Sequence, residues 1–111
     1  MKNENYLEYV PKRAGGLNWI KNESDIVTLE IENKGVINRI FQKFFRKPKI
    51  SYIHLDEMGS FIWELIDGEK SIAEIGEYVT DHFGDSANPL YERLAKYLEI
   101  LKSYNFIEWN K

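Results

Sequence analysis

His54 and His82 are the chain's only imidazoles, and it has no cysteine. A zinc site needs three or four convergent ligands, and neither a His-x-x-x-His nor a Glu-x-x-His spacing is present to begin one. His82 is expected as a solvated residue near a helix end, where its imidazolium suits the dipole. His54, at a strand-to-helix junction, is expected as a hydrogen-bonded structural histidine. Gly15-Gly16 is followed by no Lys-Ser/Thr pair, so it is not a phosphate loop. The carboxylates of Asp56-Glu57 and Asp67-Glu69 coincide with helix ends, where capping accounts for them. Gly59-Ser60 lies inside a helix and lacks the flanking pattern of a nucleophile elbow. No catalytic residue, metal ligand or cofactor is expected, and the chain reads as a non-enzymatic protein.

The chemistry left over is that of the backbone. Residues 49–55, KISYIHL, read as a strand whose two faces carry Ile50, Tyr52 and His54 or Ser51, Ile53 and Leu55. An edge strand offers unpaired N–H and C=O groups that an extended peptide can satisfy, while alternate side chains enter pockets. The last long helix carries more apolar surface than one core-facing stripe needs, which makes Tyr91, Leu94 and Leu98 candidates for lining a groove beside that strand. The candidate peptide-binding set is therefore Ile50, Ser51, Tyr52, Ile53, His54, Tyr91, Leu94 and Leu98. The same residues suit a core or a homodimer contact equally well.

Three helices are legible around this strand. Asp56 can cap the first, along which Met58, Phe61, Ile62, Leu65 and Ile66 recur at helical spacing. Asp67-Gly68 ends it, because glycine takes the left-handed cap conformation cheaply. Ser71 and Glu74 have the spacing of a capping box and start the second helix, 72–83. Two helices joined this tightly must cross steeply, as in a helix-turn-helix. Ser86 or Asn88 is expected to cap the third, with Pro89 in its first turn. Its faces carry Leu90, Leu94, Tyr97 and Leu101, with Tyr91, Ala95 and Leu98 alongside, before an Asn105 cap and a last short strand at 106–109.

Upstream, residues 1–16 read as an N-terminal arm broken by Pro11 and Gly15-Gly16, with Tyr6, Leu7, Tyr9 and Val10 able to pack on the domain. Residues 17–21 and 26–32 read as strands, the second by its alternation of Val27, Leu29 and Ile31 with polar residues. After turn chemistry at 33–35, Val36, Ile37, Ile40, Phe41 and Phe44 fall on one helical face, and Pro48 closes the segment. Residues 34–49 carry six basic residues and no acidic one. This basic amphipathic helix has three readings: its stripe packs on the sheet, it binds an acidic partner or peptide, or it lies on an anionic membrane through Phe41, Phe44 and Phe45. The last is the least favoured.

At 111 residues with 43% hydrophobic residues, the chain suits one small domain, taken as 17–111, with a single core. It lacks a signal-peptide stretch and any apolar run of the roughly 20 residues needed to span a bilayer, so a soluble cytoplasmic protein is the simplest reading. Residues 1–54 hold ten basic and six acidic residues, whereas 55–111 hold five and twelve. An acidic helical half argues against nucleic acid, whose binders present a basic face to the phosphates.

The order from Leu55-Asp56 through Ile62-Trp63-Glu64-Leu65-Ile66-Asp67-Gly68 to Ser71-Ile72-Ala73-Glu74-Ile75 resembles the PqqD family, whose namesake acts in pyrroloquinoline quinone biosynthesis. The likeness continues through Phe83, the helix from Leu90 to Leu101 and Asn105-Phe106-Ile107. It implies an α+β winged helix-turn-helix, a small antiparallel sheet packed with three helices, to which this chain adds its inserted basic amphipathic helix. It further implies an adaptor that holds the leader of a ribosomally made precursor peptide as an added strand. Such an adaptor presents the leader to a modifying enzyme, often a radical S-adenosylmethionine enzyme. A winged-helix DNA-binding regulator and a structural dimerisation domain remain the alternatives.

Overall fold

The structure, a computed structural model, describes residues 5–33 and 49–110. It is an α+β arrangement of three helices and two small antiparallel sheets among those residues. The strands are β1 (Pro11–Arg13), β2 (Asn18–Lys21), β3 (Val27–Asn33), β4 (Lys49–His54) and β5 (Ile107–Trp109). The helices α1 (Glu57–Leu65), α2 (Ile72–Phe83) and α3 (Leu90–Ser103) lie between β4 and β5 in the chain. The expected basic helix and most of the turn before it fall outside the described residues.

One sheet has the order β2-β3-β4, and β1 and β5 form the other. Leu29 pairs with Ile53, Ile31 with Ser51 and Glu30 with Tyr52. Directly opposed residues share a face, so Ser51 and Ile53 lie on the side of Val27 and Leu29, both fully buried. Ile50, Tyr52 and His54 lie on the outer side. The core gathers under the inner face from Val27, Leu29, Ile62, Trp63, Ile66, Ile75, Leu98 and Ile107.

Helix ends follow their local chemistry. The Asp56 carboxylate accepts from the Gly59 N–H at 2.7 Å. Ser71 and Glu74 close a full capping box, the Glu74 N–H donating to the Ser71 hydroxyl and the Ser71 N–H to the Glu74 carboxylate. Gly68, at φ +85°, separates α1 from α2 where a Cβ would be strained. Trp63 on α1 is fully buried, edge-on to Trp19 of β2.

Two expectations are corrected. Neither Ser86 nor Asn88 caps α3: the capping position is Pro89, without a side-chain bond, and the Ser86 hydroxyl instead donates to the Phe83 carbonyl. Nor does Pro11 break the chain within the expected arm over residues 1–16. Asn110 donates to the Val10 carbonyl and Ala14 to the Phe106 carbonyl, which turns the intervening position 11 away from β5. A missing N–H costs nothing there. The Pro11 and Tyr9 carbonyls accept from Gly68 and Ile72, tying this segment to the α1–α2 turn. The Arg13 guanidinium donates to the Trp63 and Glu64 carbonyls at the C-terminal end of α1, where the Trp63 carbonyl also accepts from the Ile66 N–H.

Candidate functional site

Strand β4 is an edge. Among the described residues it pairs with β3 alone, and the parity of that ladder decides which backbone groups are open. The Leu55 N–H donates to the Val27 carbonyl, which makes 27/55 a hydrogen-bonded pair. In an antiparallel ladder such pairs alternate with pairs whose polar groups point outward. Ser51 and Ile53 therefore bond into β3, and the N–H and C=O of Ile50, Tyr52 and His54 face away from it. The open edge thus carries donors and acceptors at every second residue, the spacing at which a further strand pairs.

A hydroxyl locks the end of this ladder to α1. The Val27 N–H donates to the Ser60 Oγ at 2.8 Å rather than to its ladder partner, and Ser60 turns its own proton toward the Leu55 carbonyl at 3.4 Å. Ser60 is the one buried polar residue among the described residues, and this bridge satisfies a backbone donor that would otherwise be orphaned. Sheet and helix are thereby held in a fixed relation just where β4 ends.

Beyond that end lies a cavity of about 100 Å³ lined by Asp56, Met58, Gly59, Ile62 and Ala87, together with Leu90, Arg93, Leu94 and Tyr97 from the α3 side. An engineered cavity of about 150 Å³ holds benzene, so this volume suits one aliphatic side chain. The Tyr97 hydroxyl donates to the Gly59 carbonyl at 2.9 Å across the cavity wall. Burial first, and then the Asp56 carboxylate, push its phenol far above the usual range, so it remains a neutral donor. Gly59 is required by this closeness, because a Cβ would lie 2.8 Å from the Asp56 carboxylate and 3.1 Å from the Tyr97 hydroxyl.

The expected site residues separate into three groups. Ile50, Ser51, Tyr52, Ile53 and His54 lie together on β4, with Tyr52 58% and Ile53 38% exposed. Leu94 is almost fully buried yet lines the cavity, whereas Leu98 is wholly buried in the core and offers no surface. Tyr91 faces elsewhere: its hydroxyl reaches the Ala73 carbonyl at 3.5 Å, and its ring occupies the space that a side chain at Gly76 of α2 would need. Leu94 is the one cavity residue in the expected set, which omits Leu90, Arg93 and Tyr97 on the same side and the whole opposite wall. Leu90, Leu94 and Tyr97 share one stripe of the helix, and that stripe was the available signal.

His54 is exposed, and its Nδ1 hydrogen-bonds the Thr28 hydroxyl of β3 at 2.8 Å. His82 stacks on Phe61, ring centroids 4.4 Å apart. Among the described residues no group of three His, Asp or Glu is placed to hold a metal, and no helix is long and apolar enough to cross a membrane.

A family model described as Coenzyme PQQ synthesis protein D (PqqD) matches residues 27–107, from the start of β3 to the start of β5. No curated protein and no solved structure matches the chain.

Proposed function

The chain belongs to the PqqD family, and from that premise we propose that it is a non-enzymatic adaptor in the biosynthesis of a peptide-derived product. It binds the leader of a ribosomally made precursor peptide by strand addition and presents it to a modifying enzyme, of the radical S-adenosylmethionine type or another. The fold is taken as the family's winged helix-turn-helix, working in the cytoplasm. The single observation that carries this reading is the alternation on β4, which directs the backbone of Ile50, Tyr52 and His54 outward beside a cavity of side-chain size. Backbone pairing supplies affinity without choosing a sequence, and the cavity adds a side-chain contact that does choose.

The ligand site comprises the backbone of residues 50–54 and the wall formed by Leu90, Leu94 and Tyr97. Neither α1 nor α2 contains a Lys or Arg, which disfavours a DNA-binding role for the helical pair. The test is titration of the labelled protein with the precursor peptide encoded beside its gene, followed by amide chemical shifts. Shifts centred on residues 50–54 and the cavity support strand addition. Shifts centred elsewhere, or none at peptide concentrations well above micromolar, refute it.

A further inference from the structure

Four large hydrophobic residues stand exposed on the three-stranded sheet: Ile20, Ile50, Tyr52 and Ile53. Three of them, Ile20, Ile50 and Tyr52, lie on its outer face, away from the helices and the cavity. The register runs Asn18, Glu30, Tyr52 in one row across β2, β3 and β4. Glu30 is half-buried within that row, and among the described residues it has no ion-pair partner. Among the described residues, the ring beside the unpaired edge is thus backed by a carboxylate without an ion-pair partner one strand further in.

We infer that the outer face selects a basic side chain, Lys or Arg, in the added strand at the position opposite Tyr52. This inference rests on the strand-addition reading and deepens it. The residue opposite Tyr52 would form a hydrogen-bonded pair with it, so its side chain emerges on the outer face beside the Tyr52 ring. Strands lie about 4.8 Å apart, which puts the added strand about 10 Å from β3. A Lys or Arg side chain spans that gap by lying across Tyr52, its methylenes on apolar surface and its cation over the ring toward Glu30. An acidic side chain at this position meets the negative face of the ring and a like charge behind it. A short apolar one covers Tyr52 and leaves Glu30 unmatched.

The test uses a randomised library of displayed peptides, each long enough for one strand, selected on the immobilised full chain. Selected peptides are expected to carry Lys or Arg at the residue whose protons show contacts to the Tyr52 ring. Replacing that Lys by norleucine, which keeps the stem and removes the charge, is expected to weaken binding about five- to tenfold. Against Glu30→Gln or Tyr52→Leu the same exchange should matter less, by about twofold for Glu30→Gln. The norleucine exchange leaves the protein untouched, so it reads the preference even where a variant is unstable. Peptides that protect the β4 edge without a basic preference overturn this inference and leave strand addition standing. So does a preference undiminished in both variants. A library from which nothing binds at residues 50–54 removes strand addition itself, and this inference with it.

Discussion

The strand pairs β1–β5 and β3–β4 end in edges of opposite character. On β1 the outward positions are Pro11 and Arg13; Pro11 has no N–H to offer, and its carbonyl is taken by Gly68 at 3.0 Å. Lys12 bridges to Asp67 on the same side. Strand β2, also an edge, is only four residues long, with Lys21 held to Glu64 at 2.9 Å and Arg13 stacked over Trp19. Proline, short length and lysine are devices that blunt an edge against unwanted pairing. Strand β4 has six residues, no proline and three exposed apolar side chains. Among the described residues β1 and β2 carry such devices, whereas β4 pairs on one side only and presents its apolar side chains beside the unpaired edge.

The largest expected effect separates the core from the ligand site. Leu98→Ala removes a fully buried side chain and should cost about 2–5 kcal/mol of stability, read by urea denaturation. Leu90→Ala, at the cavity wall, should cost less and weaken peptide binding at an unchanged fold. Equal stability losses would place both residues in the core.

The Ser60 bridge between the sheet and α1 comes next. Ser60→Ala leaves the buried Val27 N–H without its acceptor, at a cost of about 1–3 kcal/mol. A stability loss below about 0.5 kcal/mol would show that another group replaces the hydroxyl.

Strand parity gives a sharper contrast at adjacent residues. Tyr52→Pro removes an outward donor and should leave the β3 ladder intact while weakening the peptide. Ile53→Pro removes a ladder donor and should lower stability by at least about 1 kcal/mol. If Tyr52→Pro is the more destabilising of the two, the assigned parity is reversed.

The smallest effect lies at the blunted edge. The Asp67 carboxyl is held down at about 2, chiefly by a hydrogen bond from the Lys70 ammonium at 2.7 Å and further by the N–H groups of Glu69 and Lys70. Because the folded-state value is depressed, its stabilisation is complete above about pH 4, the unfolded range of Asp. It fades as pH falls toward 2. Lys70→Met should flatten that part of the acid-unfolding profile slightly, since the pair is solvent-facing. Peptide binding through β4 should not change.

Local signals explain what was legible from the sequence. The Asp56 cap and the Ser71–Glu74 box each depend on neighbours within a few residues, and both are found as expected. Gly68 is left-handed as expected, but α1 already ends at Leu65 with Ile66 as its cap. Strand β1 was not legible, because Pro11–Arg13 becomes a strand through a partner almost a hundred residues away. In α3 the apolar residues at 90, 91, 94, 97, 98 and 101 fall within one broad arc of about 120°. Periodicity cannot say which part of it meets the core and which lines the cavity, and so does not separate Leu98 and Tyr91 from Leu90 and Tyr97. Only packing against Gly59 and Gly76 separates them. The alternation on β4 was visible from its residues, but choosing its outward set needed the register with β3.

The most direct test of the account is amide hydrogen exchange on β4 with and without the precursor peptide. The predicted result is an alternating pattern: the N–H groups of Ile50, Tyr52 and His54 exchange quickly in the free protein and slow on binding. Those of Ser51 and Ile53, already bonded to β3, change little. Uniform protection along β4, or protection confined to α2 or β5, would contradict strand addition at this edge.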